Sequence, residues 1–323
     1  MRMPFIRRLA MSIGCVAGVA AVVLGVAGCS GGTPANPDVS APSVRVVTSF
    51  YPLQFVAERV GGGLVAVENL TPPGAEPHDL ELGANDLVSL READLVVYLR
   101  GVATAVDDAV ATAAAEQSLD VSEDARLEQF ADADHAVLDD GHEDDHGRAD
   151  LGVDTHFWLD PIRLADVADA VAARLGAIDP PNAAAYATNA AALRADLVAL
   201  DTEYAQGLRS CTSHDLVTSH AAFGYLATRY NLHQESVSGL SPDEEPTPAA
   251  LARVADFVKS EGVTTIFTET LVSAAVARAI ADETGVSTAV LDPLEGLTSD
   301  ATGDYLTVMR ANLATLRTGL GCS

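Results

Sequence analysis

Between residues 182 and 207 the apolar positions Tyr186, Ala190, Leu193, Leu197, Leu200 and Tyr204 recur at spacings of four, three, four, three and four. That period belongs to a helix buried along one stripe. Pro180-Pro181-Asn182 precedes it, the prolines as a stop and Asn182 as an N-cap. About 25 residues at roughly 1.5 Å each make a rod of about 40 Å. Such a rod reaches along two domains and leaves a cleft beside itself.

The chain on either side repeats one pattern. Val44–Thr48, Val65–Leu70 and Leu95–Leu99 are short β-branched or apolar runs, separated by helix-like stretches at 52–60 and 84–93. The alternation returns with Asp215–Ser219, Thr264–Phe267 and Ser287–Leu291, interleaved with helical segments near 221–230, 248–260 and 273–284. Strands alternating with helices read as βαβ units on a parallel sheet. The fold expected is therefore α/β, with two parallel-sheet lobes, residues 44–181 and 208–323, bridged by one long helix over 182–207. A length of 323 residues accommodates both.

Arg2, Arg7 and Arg8 precede an uncharged run from Leu9 to Gly28, the pattern of an export signal occupying residues 1–28. The run ends in Val26-Ala27-Gly28-Cys29, which resembles the bacterial lipobox, at which Cys29 becomes a lipidated N-terminus. The same run is just long enough to span a bilayer uncleaved. Either way the remainder is expected outside the cytoplasm, tethered through a flexible Gly/Pro/Ser linker at 29–43, and the lipobox makes the tether a lipid anchor on the outer face of the cell membrane. Cys15 leaves with the signal and Cys29 carries lipid. Cys211 and Cys322 are then two thiols in an oxidising compartment, and a disulfide between them is expected.

The charge narrows the partners. Nineteen Lys and Arg against 46 Asp and Glu give −27, which excludes nucleic-acid binding by counterion release and favours cations. Within residues 131–150, eight acids accompany His135, His142 and His146. Such a stretch cannot bury a core; it is either a weak collector of metal or a solvated acidic loop.

His78, His156, His220 and Asp292 stand where strand-like runs give way to loops. Ligands of open α/β sheets bind at the carboxyl ends of strands, so these side chains can face one cleft. Three imidazoles and a carboxylate suffice for tetrahedral Zn(II). Glu269 follows another strand and is read either as an acceptor for a ligand imidazole or as a surface residue. His214 and His233 receive no role.

Glu76-Pro77-His78-Asp79, His156-Phe157-Trp158-Leu159-Asp160-Pro161, Ser219-His220-Ala221-Ala222-Phe223-Gly224-Tyr225-Leu226 and Leu291-Asp292-Pro293-Leu294 resemble the metal-binding segments of the zinc and manganese solute-binding proteins of bacterial ABC importers. The resemblance runs from about residue 44 to the C-terminus. It implies two α/β lobes on a helical bridge and His78, His156, His220 and Asp292 as ligands. His at the third position resembles zinc-type members, where manganese-type members present Glu, and a nitrogen-rich shell favours Zn(II). The implied function is a monomeric receptor that delivers Zn(II) to an ABC permease and its ATPase, without catalysis. The alternatives are a Mn(II) or Fe(II) receptor or an adhesin of the same group, or a zinc hydrolase. Against a hydrolase stand the missing His-Glu-x-x-His helix and a carboxylate able to close the fourth position. Binding is expected to weaken as pH falls through the imidazole range near 6.5.

Overall fold

The computed structural model describes residues 42–129, 152–242, 245–299 and 301–323. The segment read as an export signal, Cys29, and the acidic stretch with His135, His142 and His146 lie outside the described residues.

The first lobe begins with β1 (Val44–Thr48), α1 (Tyr51–Gly61), β2 (Val65–Asn69), α2 (Ala84–Glu92), β3 (Leu95–Tyr98), α3 (Thr104–Ala113), β4 (Ser118–Asp120) and α4 (Ser122–Ala125). A two-residue antiparallel pair, β5 (Glu128–Gln129) with β6 (Val153–Asp154), leads to α5 (Pro161–Ile178) and the long α6 (Ala183–Gly207). The second lobe follows with β7 (Asp215–Thr218), α7 (Gly224–Tyr230), β8 (His233–Ser236), α8 (Pro248–Ser260), β9 (Thr265–Thr268), α9 (Ala275–Thr284), β10 (Ser287–Val290) and α10 (Tyr305–Gly319). Among the described residues the strands form two parallel sheets, ordered β2-β1-β3-β4 and β10-β9-β7-β8.

Central strands of such sheets are covered on both faces, so β3 and β9 are buried along their whole length and read as apolar or β-branched runs. The edge strands β4 and β8 carry Ser-Leu-Asp and His-Gln-Glu-Ser. Neither has an apolar run, and the expected strand set omits both for that reason.

The stripe Tyr186, Ala190, Leu193, Leu197, Leu200 and Tyr204 is the buried face of α6. It belongs to one apolar cluster that also takes Val46 and Leu95 of the first sheet, Leu216 and Phe267 of the second, and Tyr305 and Leu316 of α10. The two lobes thus share a core instead of meeting at a hinge. Separate clusters close the outer faces, Val106 and Val110 of α3 over the first sheet and Val254 and Ile280 of α8 and α9 over the second.

The starts of α5 and α6 are capped differently. Asp160 accepts from the backbone N–H groups of Ile162 and Arg163 at 2.9 and 3.4 Å and starts α5, as an Asp before Pro161 should. Asn182 makes no cap. The 3-10 turn Pro180–Asn182 runs straight into α6, and Asn182 donates its side-chain amide to Asp179 at 2.7 Å.

Cys211 and Cys322 are bonded across 111 residues, tying the end of α10 to the start of the second lobe. Closing a loop of that size stabilises by about 4 to 5 kcal/mol on the chain-entropy account. Replacing both with Ser is expected to lower the denaturant midpoint correspondingly. An unchanged midpoint would show that the bond contributes nothing.

Candidate metal centre

Each candidate side chain arrives on a different segment. His78 lies in the loop after β2, His156 two residues after β6, His220 two residues after β7, and Glu295 five residues after β10. The parallel strands β2, β7 and β10 place the loops of His78, His220 and Glu295 at their carboxyl ends, and the His156 segment, which follows the antiparallel pair β5–β6, meets them there.

At the centre is one oxygen. Glu295 Oε1 stands 3.0 Å from His156 Nε2, 3.1 Å from His220 Nε2 and 3.5 Å from His78 Nε2. Ligating atoms of His78, His156 and Glu295 all lie within 4.8 Å of one another. His156, His220 and Glu295 are fully buried, and the His78 side chain is 11% exposed. Its ring lines a cleft of about 920 Å³ walled in part by Asp120, Glu123 and Leu240. His220 and Glu76 line a second cavity of about 390 Å³ with Asp79 and Glu245. Acidic residues thus flank the group on two sides, a field that draws cations.

The far nitrogen of each ring is held. Asp154 Oδ1 accepts both the backbone N–H and Nδ1 of His156, each at 2.9 Å. Glu269 accepts the backbone N–H of His220 at 3.0 Å and its Nδ1 at 2.6 Å. The Val102 carbonyl lies 3.2 Å from His78 Nδ1. When Nδ1 carries the proton, Nε2 offers its lone pair to the centre, which is how metal-binding imidazoles are oriented. Space for Asp154 comes from Gly224, where a Cβ would stand 2.8 Å from Asp154 Oδ2.

The group fits a cation in a further respect. Glu295 Oε2 and His78 Nε2 are buried without a hydrogen-bond partner among the described residues. Buried polar atoms left so are costly unless a ligand satisfies them.

Charge is shared across the group. Burial alone would raise the Glu295 carboxyl, but hydrogen bonds with His156 and His220, and the His78 imidazole close by, hold it well below the carboxylate range. Burial lowers His156, and Asp154 and Glu295 more than reverse this, pushing it up to about 9. His220 follows the same logic through Glu269 and Glu295, up to about 10. Glu76 is driven up to about 8 by its own burial and by Glu295 beside it.

The sequence-based set of His78, His156, His220 and Asp292 is thus brought together in its imidazoles, while Glu295 takes the place given to Asp292. Asp292 Oδ1 instead accepts the backbone N–H of Leu294 at 2.8 Å. After β10 the backbone passes through Pro293 and a left-handed Leu294 at φ 58°, and that reversal turns residue 295 inward. Reasoning from strand ends took the first acid past the strand, and the turn moved the position by three. Glu269 is an acceptor for His220. Asp154 went unassigned, although a carboxylate two residues before a histidine was a readable signal. His214 and His233 sit at the amino ends of β7 and β8, away from the group.

Two parallel-sheet lobes bridged by one long helix, with imidazoles and a buried carboxylate gathered between them, define a helix-bridged two-lobe α/β fold with a candidate metal centre. Residues 46–319 match the ZnuA family, described as zinc-uptake complex component A, periplasmic, and the chain belongs to that family. The chain is 35% identical over 284 residues to the zinc-binding lipoprotein AdcA of Streptococcus pneumoniae, covering 85% of this chain and 55% of that one. It is 32% identical over 315 residues to the high-affinity zinc uptake system protein ZnuA of Bacillus subtilis, covering 94% and 96%. The Zn(II)-bound ZnuA-like domain of the pneumococcal AdcA superposes with a TM-score of 0.69 at 32% identity, over 86% of this chain and 98% of that one. The chain therefore spans little more than half the length of the AdcA relatives and nearly all of the Bacillus protein.

Proposed function

We propose that this chain is an extracytoplasmic receptor that binds one Zn(II) through His78, His156, His220 and Glu295 and hands it unchanged to an ABC permease and its ATPase. The observation that carries the reading is the convergence of three Nε2 atoms on one buried carboxylate oxygen, with the opposite ring nitrogens tied down. Three nitrogens and one oxygen make a closed tetrahedral shell for Zn(II). A closed shell leaves no position for an activated water, which argues against hydrolysis. The family membership and the zinc named for its relatives support the cargo.

The protein works as a monomer held at the membrane by lipid on Cys29, and the stretch at 131–150 with His135, His142 and His146 serves as a weak collector beside the tight site. Because the lobes share one core, release falls to the loops that carry the ligands rather than to a rotation of the lobes.

The test is elemental analysis of purified protein after equilibration with equal Zn(II), Mn(II) and Fe(II). One Zn(II) per chain is expected, in keeping with the nitrogen-rich shell. Preferential retention of Mn(II), or turnover of added esters by the zinc-loaded protein, would reject the proposal.

A further inference from the structure

Glu295 differs from its three partners in how it is supported. Asp154, Glu269 and the Val102 carbonyl hold the histidines directly, whereas Oε2 of Glu295 has no hydrogen-bond partner among the described residues. Apart from the imidazoles themselves, which meet Oε1, its position rests on its backbone. That backbone lies in the irregular segment between β10 and α10 and enters it through Leu294, a buried, branched side chain in the left-handed region. L-residues other than Gly, Asn and Asp seldom hold that conformation unless their surroundings impose it.

Three contacts impose it here. Asn312, on the buried face of α10 and 3% exposed, brackets Asp292, accepting its N–H at 3.0 Å and donating to its carbonyl at 2.7 Å. Trp158, two residues after His156, donates Nε1–H to the Pro293 carbonyl at 2.7 Å. Beyond Glu295, the Gly74 N–H in the His78 loop donates to the Leu297 carbonyl at 2.8 Å. The segment is thus pinned to the first lobe on both sides of Glu295 and to its own lobe by Asn312. An amide in the middle of an otherwise apolar helix face, with both its polar atoms spent on one backbone residue, is placed to fix that residue.

Resting on the ligand set proposed above, we infer that Asn312 is a positioning residue for the metal site, which acts by clamping Asp292 so that the strained turn aims Glu295 at the three imidazoles. Asn312 touches no ligand atom, and Asp292 belongs to the same device.

A double-mutant cycle in the full chain tests this, with Zn(II) affinity read by competition against a chelator and folding read by thermal unfolding. Asn312→Ala is expected to weaken Zn(II) binding about 10- to 100-fold, the range for losing a group that orients a ligand. Glu295→Ala should weaken it more, and Asn312→Ala added to Glu295→Ala should change affinity less than about twofold, because the residue acts only through the carboxylate. Asn312→Asp keeps the volume and the acceptor toward the Asp292 N–H but sets an oxygen against its carbonyl. It provides the folded comparison if alanine opens the core, with a loss in the same direction. Equal losses from Asn312→Ala with and without Glu295, or wild-type affinity in both Asn312 variants, would overturn the inference. Wild-type affinity in Glu295→Ala alone would overturn the ligand set instead, and the inference with it.

Discussion

Alanine at His78, His156, His220 or Glu295 should each weaken Zn(II) binding by more than roughly a hundredfold, beyond the 10- to 100-fold typical of losing an outer partner. Each substitution opens the four-donor shell and leaves the other groups buried around a hole. The two carboxylates are separated by a milder change. Asp292→Asn keeps an oxygen that accepts from the Leu294 N–H and should leave affinity nearly unchanged. Asp292→Ala gives up that hydrogen bond, worth about 1 kcal/mol in the turn. Equal and large losses in Asp292→Asn and Glu295→Ala would return Asp292 to the shell. A second readout is thermal. Zn(II) at about a thousandfold over Kd should add about 4 kcal/mol to the native state, roughly 10 °C in Tm for a chain of this size, and each alanine variant should lose most of that increment. Isothermal titration and a Tm series on the same samples decide the point.

How much of this was readable in the chain depended on where packing spoke through local pattern. The α6 stripe was fully legible because a helix buried along one face needs apolar residues at its own period. The buried strands β1, β3 and β9 were legible as well, since parallel strands covered on both faces must be apolar or β-branched. The edge strand β8 was not: one edge of His233–Ser236 has no strand partner among the described residues, and its sequence answers to hydrogen bonding with β7 rather than to burial. His78 and His220 could be placed because the carboxyl ends of parallel strands converge in this architecture, and His156, which follows the antiparallel β6, through the motif His156–Pro161. Glu295 could not, because its direction comes from contacts of Asn312, Trp158 and Gly74 that lie 17, 137 and 221 residues away in the chain, and no local pattern encodes them. Asp292 looked the better candidate for the reason that makes it useful to the turn, a carboxylate directly past a strand.

The pH dependence of Zn(II) binding is expected to extend well above the range that free imidazoles suggest. An unperturbed histidine loses its proton near 6.5, and a site of such residues would reach full affinity by about pH 7.5. Burial by itself would lower His156 and His220 further, but the carboxylates outweigh it. Asp154 and Glu295 push His156 up to about 9, and Glu269 and Glu295 push His220 up to about 10. Glu76, up to about 8, stands beside Glu295 at the same centre. Protons on His156 and His220 must leave before their Nε2 atoms can donate to Zn(II), so metal and proton compete through neutral pH and beyond. Apparent affinity should therefore climb from pH 6 to pH 9, at about one to two decades per unit where both imidazoles titrate. Stability of the protein held in excess chelator runs the other way. A group whose native pKa lies above its unfolded value stabilises fully below the unfolded value, near 6.5, and loses that contribution as pH rises through 9 to 10. The Tm in chelator should thus fall between pH 7 and pH 10 while the increment given by Zn(II) grows. Chelator competition at intervals of one pH unit, paired with Tm in chelator, measures both slopes. Affinity that is flat above pH 7, or a Tm in chelator that rises toward pH 10, would mean that Glu295 does not hold the imidazole protons and that the buried centre is organised differently.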